Sequence, residues 1–462
     1  LIERTGQNRM KNLTINNIIE AVKGKYHGDK AYLQKEISFV TTDSRSAGAN
    51  CLFAAIKGEN SDGHDYIEAA FGKGALCVIG ERVPENCTSP LIVVENTIEA
   101  LGDLASFYRR QFDIPILGIT GSVGKTTAKE MVSSVLSRRF NVHKTHKNLN
   151  NDLGVPLTLF GLDESHDFAV IEMGISHFGE MRRLAEIVRP DKALYTMIGS
   201  AHLEFLGDFD GVLRAKSEML EYLPEDGTVF VNGDNETLRK IQCRQKICRY
   251  GISPDCDVTA ENIRLFGTDG MELDIVSGGR RIPAKINSYG VHMVAAALGA
   301  AAVGMHMGLT DDEISAGIAD YVPVGSRSGI IKTGKITIID DCYNANPTSV
   351  AAALDSLSML DMRRVCILGD MFELGESSAG LHYETGRHAA QKHTDLIIAC
   401  GELSANTAEG AKKAGCSNAA YFKTKAELFA KLSQLIREGD AVLVKASHGM
   451  HFEEIVEELK KL

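Results

Sequence analysis

The sequence carries no basic excess: 50 Lys and Arg stand against 61 Asp and Glu, a formal net charge of −11 over 462 residues. That balance argues against holding a nucleic-acid backbone as the main task, which calls for a basic footprint. The ten cysteines include no C-x-x-C pair and no paired metal-ligand spacing; Cys243 and Cys248 are nearest and have no suitable partners. Scattered reduced thiols of a cytosolic enzyme are the expectation. The longest apolar run, Met293 to Met305, is Ala- and Gly-rich and falls short of the roughly 20 residues a membrane-spanning helix needs. No charged-then-apolar signal stands near the N-terminus, so a cytoplasmic location without membrane insertion is expected. Residues 1–9, ahead of Met10, read as a vector remnant or a native extension. Short repeats and low-complexity tracts are absent.

What is present is ordinary soluble composition, 44% hydrophobic and 24% charged. The length exceeds one core, and about three domains are expected. Composition divides the chain at Pro115 and near Tyr321, giving blocks 1–113, 114–322 and 323–462. The first mixes short strands (Ile37 to Thr41, Leu91 to Val94) with a helix from Ile98 to Gln111. The second holds buried-type strands at Phe168 to Met173, Ala193 to Ile198 and Thr228 to Val231, separated by helical patterns. Such strands imply a mostly parallel sheet covered on both faces. In the third, Ile336 to Ile339, Val365 to Leu368, Leu396 to Cys400 and Ala441 to Val444 alternate with helical segments. That rhythm predicts a doubly wound, Rossmann-like α/β domain, with ligands at the carboxyl ends of its strands.

The most specific chemical signal is Thr120, Gly121, Ser122, Val123, Gly124, Lys125, Thr126, Thr127. It follows the apolar run Ile116 to Ile119 and opens a helical pattern, Lys125 to Phe140. A glycine loop between strand and helix converges backbone N–H groups on an anion, where the helix N-terminus adds positive potential. Lys125 would reach the β- and γ-phosphates of a nucleoside triphosphate and Thr126 would hold Mg²⁺. The loop is the short form, with Ile119 where the general pattern has its first glycine.

Other candidates sit at later strand ends. Glu172 closes a buried strand, where a carboxylate is costly unless paired or bound to a cation; it is either a Mg²⁺ ligand, directly or through water, or a helix-capping or ion-paired Glu. His202 follows the next strand and is either hydrogen-bonded structure or a metal residue. Lys216 reads by default as a solvated helix lysine, although carbamylation by CO₂ would turn it into an anion able to ligate Mg²⁺. The amide-rich Asn148-Leu-Asn-Asn-Asp-Leu-Gly-Val-Pro156 suits hydrogen bonding to a peptide or sugar, or a plain turn. The same choice holds for Asp340-Asp-Cys-Tyr-Asn-Ala-Asn-Pro347. Asp43-Ser-Arg45 and the run from Lys57 to His64 are the polar signals of the first block, and Arg45 is either a diphosphate fork or a surface residue.

In order and spacing, the short P-loop, the Asn-rich loop, Glu172, His202 and Lys216 resemble the Mur ligases of peptidoglycan synthesis. Within that family, Asp340 to Pro347, Leu368-Gly-Asp-Met-Phe-Glu-Leu-Gly375 and Asp43-Ser-Arg45 with Asp62-Gly-His64 are similar to members that add D-alanyl-D-alanine to UDP-N-acetylmuramoyl-tripeptide. The resemblance covers the chain from about Leu13 onward and implies three domains: one for the UDP-sugar, one for ATP, one for the dipeptide. It implies that Thr120 to Thr127, His292, Arg327 and Asp341 bind ATP, and that Thr126, Glu172, His202 and carbamylated Lys216 serve Mg²⁺. It further implies that Ser44, Arg45, Asn148 and Asn151 contact the UDP substrate, that Asn344 and Asn346 lie by the dipeptide, and that Lys125, Lys216, Glu172 and His202 are catalytic. A monomer is expected. Two departures stand out. The family's Gly-Arg-His and later Asn are here Gly290-Val-His292 and Ala296, so adenine recognition differs; its Lys-Gly-Ser-Arg is Lys445-Ala-Ser-His448.

The implied reaction activates a substrate carboxylate as an acyl phosphate, which the dipeptide amine then attacks. A sibling ligase adding a single amino acid is the nearest alternative, and a P-loop ATPase driving a conformational switch is the alternative from another class.

Overall fold

The structure, a computed structural model, describes residues 10–58 and 61–462. Residues 1–9, and Glu59 and Asn60 of the polar run before His64, lie outside the described residues. The fold is α/β in three domains, with two sheets of purely or mostly parallel strands around the site.

The first domain orders its strands Lys25–His27, Leu91–Val93, Cys77–Gly80, Cys51–Ala54, Phe39–Thr41, parallel except for the first. Its helix Thr97–Arg109 is capped by Asn96, whose side chain accepts from the Ile98 and Glu99 N–H groups. That helix packs on Gly154–Leu159 and Glu180–Val188 of the central domain. Gly102 makes the approach possible, since a Cβ there would stand 2.8 Å from Ile187 Cδ1. One continuous apolar cluster therefore runs from Met10 through the first domain to one face of the central sheet.

The central sheet orders Lys246–Tyr250, Thr228–Asn232, Lys192–Tyr195, Ile116–Thr120, Phe168–Glu172, Val142–Lys144, all parallel. Burial on both faces explains the unbroken apolar runs seen in sequence. Alternation still sorts them: Ala169 and Ile171 face the first cluster, Phe168 and Val170 the opposite one. The second cluster is closed by helices Lys125–Leu136 and His292–His306 and by an antiparallel sheet of Thr259–Leu265, Met271–Ser277 and Arg280–Ile286. The apolar run Met293 to Met305 is thus a buried core helix. Among the described residues no helix is long and apolar enough to cross a membrane.

The third domain orders Gly329–Lys332, Thr337–Asp340, Asp440–Lys445, Arg363–Gly369, Leu396–Cys400, Ala419–Phe422, parallel except for the first strand. Apolar clusters cover both of its faces, as a doubly wound sheet requires. Tyr289, which precedes the long helix of the central domain, is buried in one of these clusters beside Leu354 and Leu357. All ten cysteines are free thiols.

Candidate active site

The glycine loop is shaped by its own backbone. Gly121 has φ 150° and Gly124 φ 84°, and Gly124 is the residue before helix Lys125–Leu136. A Cβ on Gly121 would fall 2.0 Å from Thr196 Oγ1, so only glycine lets the loop lie against the next strand. The loop is tied down at several points. Ser122 N donates to Met197 O at 2.6 Å, Thr196 Oγ1 to Val123 O at 2.6 Å, and Thr120 Oγ1 to Met173 O at 2.9 Å. Lys125 Nζ folds back onto Gly121 O at 2.8 Å. Burial lowers its pKa, Glu172 opposes that shift and Arg327 adds to it.

Strand pairing sets Ile119 beside Glu172, which places the end of strand Phe168–Glu172 next to the loop. The Glu172 carboxylate is buried at 1% exposure and is nonetheless fully engaged. Thr126 Oγ1 donates to its Oε2 at 2.9 Å, and Asn150 Nδ2 to its Oε1 at 2.7 Å. Lys129 Nζ stands 4.0 Å away and donates to Thr145 O at 2.7 Å, which fastens the segment ahead of the amide-rich loop to the P-loop helix. A hydroxyl and a carboxylate this close form a hard oxygen pair suited to Mg²⁺, which is held by one or two such groups plus substrate phosphates. No cluster of three or more His, Cys, Asp or Glu able to hold a metal occurs among the described residues.

A cavity of about 820 Å³ opens over this pair, between the central and third domains and reaching the first. The structure brings to it Ser122, Val123, Gly124, Lys125, Thr126, Thr127, Asn148, Asn151, Glu172 and His202 from the central domain. His292, Arg327, Asp341, Asn344 and Asn346 line it as well. Thr120 and Gly121 shape the loop from below.

Most of the distal residues have a structural partner. Asp341 Oδ2 is 2.6 Å from Lys445 Nζ, and its Oδ1 accepts from Ser328 N at 3.1 Å. Lys445 also donates to Asn344 O at 3.0 Å. The Arg327 guanidinium lies 3.6 Å over the Tyr343 ring, and His448 approaches that ring at 5.3 Å between centroids. The buried His292 Nδ1 has no hydrogen-bond partner; burial lowers the pKa of this ring, with Asp341 opposing and Lys445 reinforcing.

One expectation is corrected, and two others are filled in with partners. Lys216 is not a solvated helix lysine: it is 1% exposed and is not among the residues that line the cavity. Burial, then the Lys125 ammonium, lowers its pKa well below the ordinary lysine value, against Glu180. His202 lines the cavity but turns Nδ1 toward Glu373 of the third domain, at 2.6 Å, and holds that carboxyl below the usual range. Among the loop amides it is Asn150 that reaches Glu172, while Asn151 Oδ1 accepts from Gly154 N at 2.9 Å and Asn346 caps helix Pro347–Ser358.

Ser44 and Arg45 stand apart from the cavity. Arg45 is exposed and forks onto Asp43, with Nε and Nη2 both 2.9 Å from its oxygens. Nearby, buried His64 binds Asp62 through Nδ1 at 2.6 Å and accepts from Glu81 N at 2.8 Å. Sequence reasoning missed Asn150, Lys129 and Glu180 as site residues. Glu180 accepts from the Ser176 and His177 N–H groups at 2.7 and 3.1 Å on the cavity wall.

Comparison with known proteins accords with this geometry. The Mur ligase family catalytic domain matches residues 36–109, the Mur ligase middle domain residues 119–304, and the Mur ligase glutamate ligase domain residues 326–448. The UDP-N-acetylmuramoyl-tripeptide–D-alanyl-D-alanine ligase of Bacillus subtilis is 35% identical over 96% of this chain and 98% of its own. Its Escherichia coli counterpart is 35% identical over 98% and 99%. A crystal structure of MurF from Acinetobacter baumannii superposes with a TM-score of 0.92 at 32% identity, covering 98% of this chain and all of that one. MurF from Thermotoga maritima, in complex with ADP, gives a TM-score of 0.83 at 25% identity over 92% and 97%.

Proposed function

The chain belongs to the Mur ligase family, and we propose that it joins D-alanyl-D-alanine to UDP-N-acetylmuramoyl-tripeptide at the expense of ATP, in peptidoglycan synthesis. The observation that carries this reading is the paired Thr126 and Glu172 behind a phosphate loop, facing Asp341, Arg327 and Asn344 of another domain across one cavity.

The division near residues 113 and 322 is part of the reading. The first domain holds the UDP end around Ser44 and Arg45, the central domain holds ATP, and the third holds the dipeptide near Asn344 and Asn346. The loop N–H groups from Gly121 to Thr127 cradle the phosphates, and Lys125 leaves Gly121 O to meet the γ-phosphate. Thr126 and Glu172, with His202 on the same cavity, would hold Mg²⁺, which would offset charge on the phosphoryl group. An ionised carboxylate is a poor acyl donor. Its oxygen attacks the γ-phosphorus, ADP leaves, and the acyl phosphate forms. The dipeptide amine then attacks the acyl carbon; phosphate leaves with the former carboxylate oxygen, and the amine gives up its proton. Lys125 acts by position and charge, as phosphoryl transfer chiefly demands.

Carbamylation of Lys216 belongs to the same reading. Burial and the neighbouring Lys125 ammonium both disfavour a charged amine at Lys216, and addition of CO₂ with release of a proton sets an anion beside Lys125 instead. Asp341 and His292 serve the nucleotide's sugar and base end. The protein acts as a cytoplasmic monomer. Phosphate release measured with each substrate omitted in turn tests the function: release requires ATP, the UDP-tripeptide and the dipeptide together. Release from ATP alone would instead mark a switch ATPase, and use of a single amino acid in place of the dipeptide would mark a sibling ligase.

A further inference from the structure

Two residues with side chains, both in left-handed backbone, meet where the central and third domains touch: His202 at φ 57° and Glu373 at φ 61°. Such conformations persist only where the surroundings hold them, and they concentrate at functional contacts. Glu373 Oε2 stands 2.6 Å from His202 Nδ1, although the ring N–H is not aligned with it as a hydrogen bond.

The loop that delivers Glu373 is fixed residue by residue to its own domain. Asp370 Oδ1 accepts from Ser404 N and Oγ at 2.8 and 2.6 Å. Met371 N donates to His382 Nε2 at 2.9 Å, and Phe372 N donates to Ser447 Oγ at 3.0 Å. On the facing side the segment around His202 is docked against the third domain. Ser200 Oγ lies 3.1 Å from Thr348 Oγ1, and a Cβ on Gly375 would stand 3.5 Å from Glu204 Cα. A rigid loop of one domain therefore aims a carboxylate at an imidazole of the other.

We propose that Glu373 is the positioning residue for His202: it accepts the Nδ1 proton and leaves Nε2 as the nitrogen offered to the cation, and it does so only with the third domain docked. This rests on the reading of His202 as serving the divalent cation. A carboxylate on one ring nitrogen fixes the tautomer and orientation of a histidine and raises the basicity of the other nitrogen. Because the carboxylate belongs to the dipeptide-binding domain, completion of the cation site is tied to assembly of both substrate-binding halves. The misaligned approach at 2.6 Å needs only a small rotation of either side chain to become a hydrogen bond.

The test is Mn²⁺ affinity of the full chain, read from loss of the free-ion electron paramagnetic resonance signal at saturating ADP. Glu373→Ala weakens Mn²⁺ binding about tenfold. Glu373→Gln, which still accepts the Nδ1 proton, recovers most of that loss. The double variant Glu373→Ala/His202→Asn binds no more weakly than His202→Asn alone, since one acts through the other. Wild-type affinity in Glu373→Ala beside weakened His202→Asn would overturn the proposal and leave the cation reading standing. Unchanged affinity in His202→Asn would overturn that reading and the proposal with it. A parallel loss of metal-free ADP affinity in Glu373→Ala would signal general loosening and would also overturn the proposal.

Discussion

Replacing Lys216 by methionine separates stability from chemistry. The side chain is buried on helix Phe209–Ser217, and its pKa is lowered first by that burial and then by Lys125. Burial opposes a charged amine there, and a methionine of similar length fills the same space. A volume-conserving exchange of this kind costs less than about 1.5 kcal/mol, which moves a thermal midpoint by under about 5 °C. Activity responds differently. Removing one preorganised group that offsets charge in the transition state costs about 3–4 kcal/mol, a fall of about 100- to 1,000-fold. Dipeptide-dependent phosphate release and a thermal melt, run on the same preparation, measure both. Lys216→Ala is expected to lose activity that bicarbonate does not restore, while short carboxylic acids in the vacated space restore part of it. Full activity in Lys216→Met, or collapse of its melting midpoint, would refute the reasoning.

Gly121→Ala places a Cβ 2.0 Å from Thr196 Oγ1 at φ 150°; displacing the phosphate loop by about 1 Å lowers turnover about 100-fold, and near-native phosphate release would contradict this account of the loop. Tyr289 is buried in the third-domain core with its hydroxyl unpartnered. Tyr289→Phe is therefore neutral or stabilising within about 1 kcal/mol, whereas Tyr289→Ala costs about 3–5 kcal/mol; denaturant melts in which Tyr289→Phe is the more damaging change would refute this. Asp62 is held below the usual carboxylate range by the His64 backbone N–H, then the His64 ring, with help from Arg82. A depressed pKa stabilises above the ordinary carboxylate pKa, and the benefit is lost as pH falls through the folded value. The gap in melting temperature between wild type and Asp62→Asn accordingly narrows from about pH 5 to about pH 2, and a gap constant over that range would count against the Asp62–His64 pairing.

The P-loop and Glu172 were legible because a strand, a glycine turn and a helix follow one another within the contiguous run Ile116 to Leu136, and a buried strand's closing acid is a local anomaly. The antiparallel sheet from Thr259 to Ile286 was missed: its outer strand is largely exposed and broken by a register shift between Glu261 and Arg264, which blurs alternation. Asn150 could not be told from Asn148 or Asn151, since neighbouring amides in a loop share no period. Lys129 reads as an ordinary helix lysine until the loop carrying Thr145 covers it. The His202–Glu373 contact joins residues of different domains, and only tertiary docking brings them together. The buried lysine at 216 illustrates the same limit: helical spacing gave its element, and packing gave its chemistry.

The central claim, that Lys125 and the Thr126–Glu172 pair let ATP activate a carboxylate, is tested most directly by isotope transfer. UDP-tripeptide labelled with ¹⁸O in its terminal carboxylate is turned over with ATP and D-alanyl-D-alanine, and the phosphate is analysed by mass spectrometry. The account predicts one ¹⁸O atom in each phosphate released, with the pentapeptide product formed in equal amount. Unlabelled phosphate would contradict it, because the γ-phosphoryl group would then have passed to water instead of the substrate.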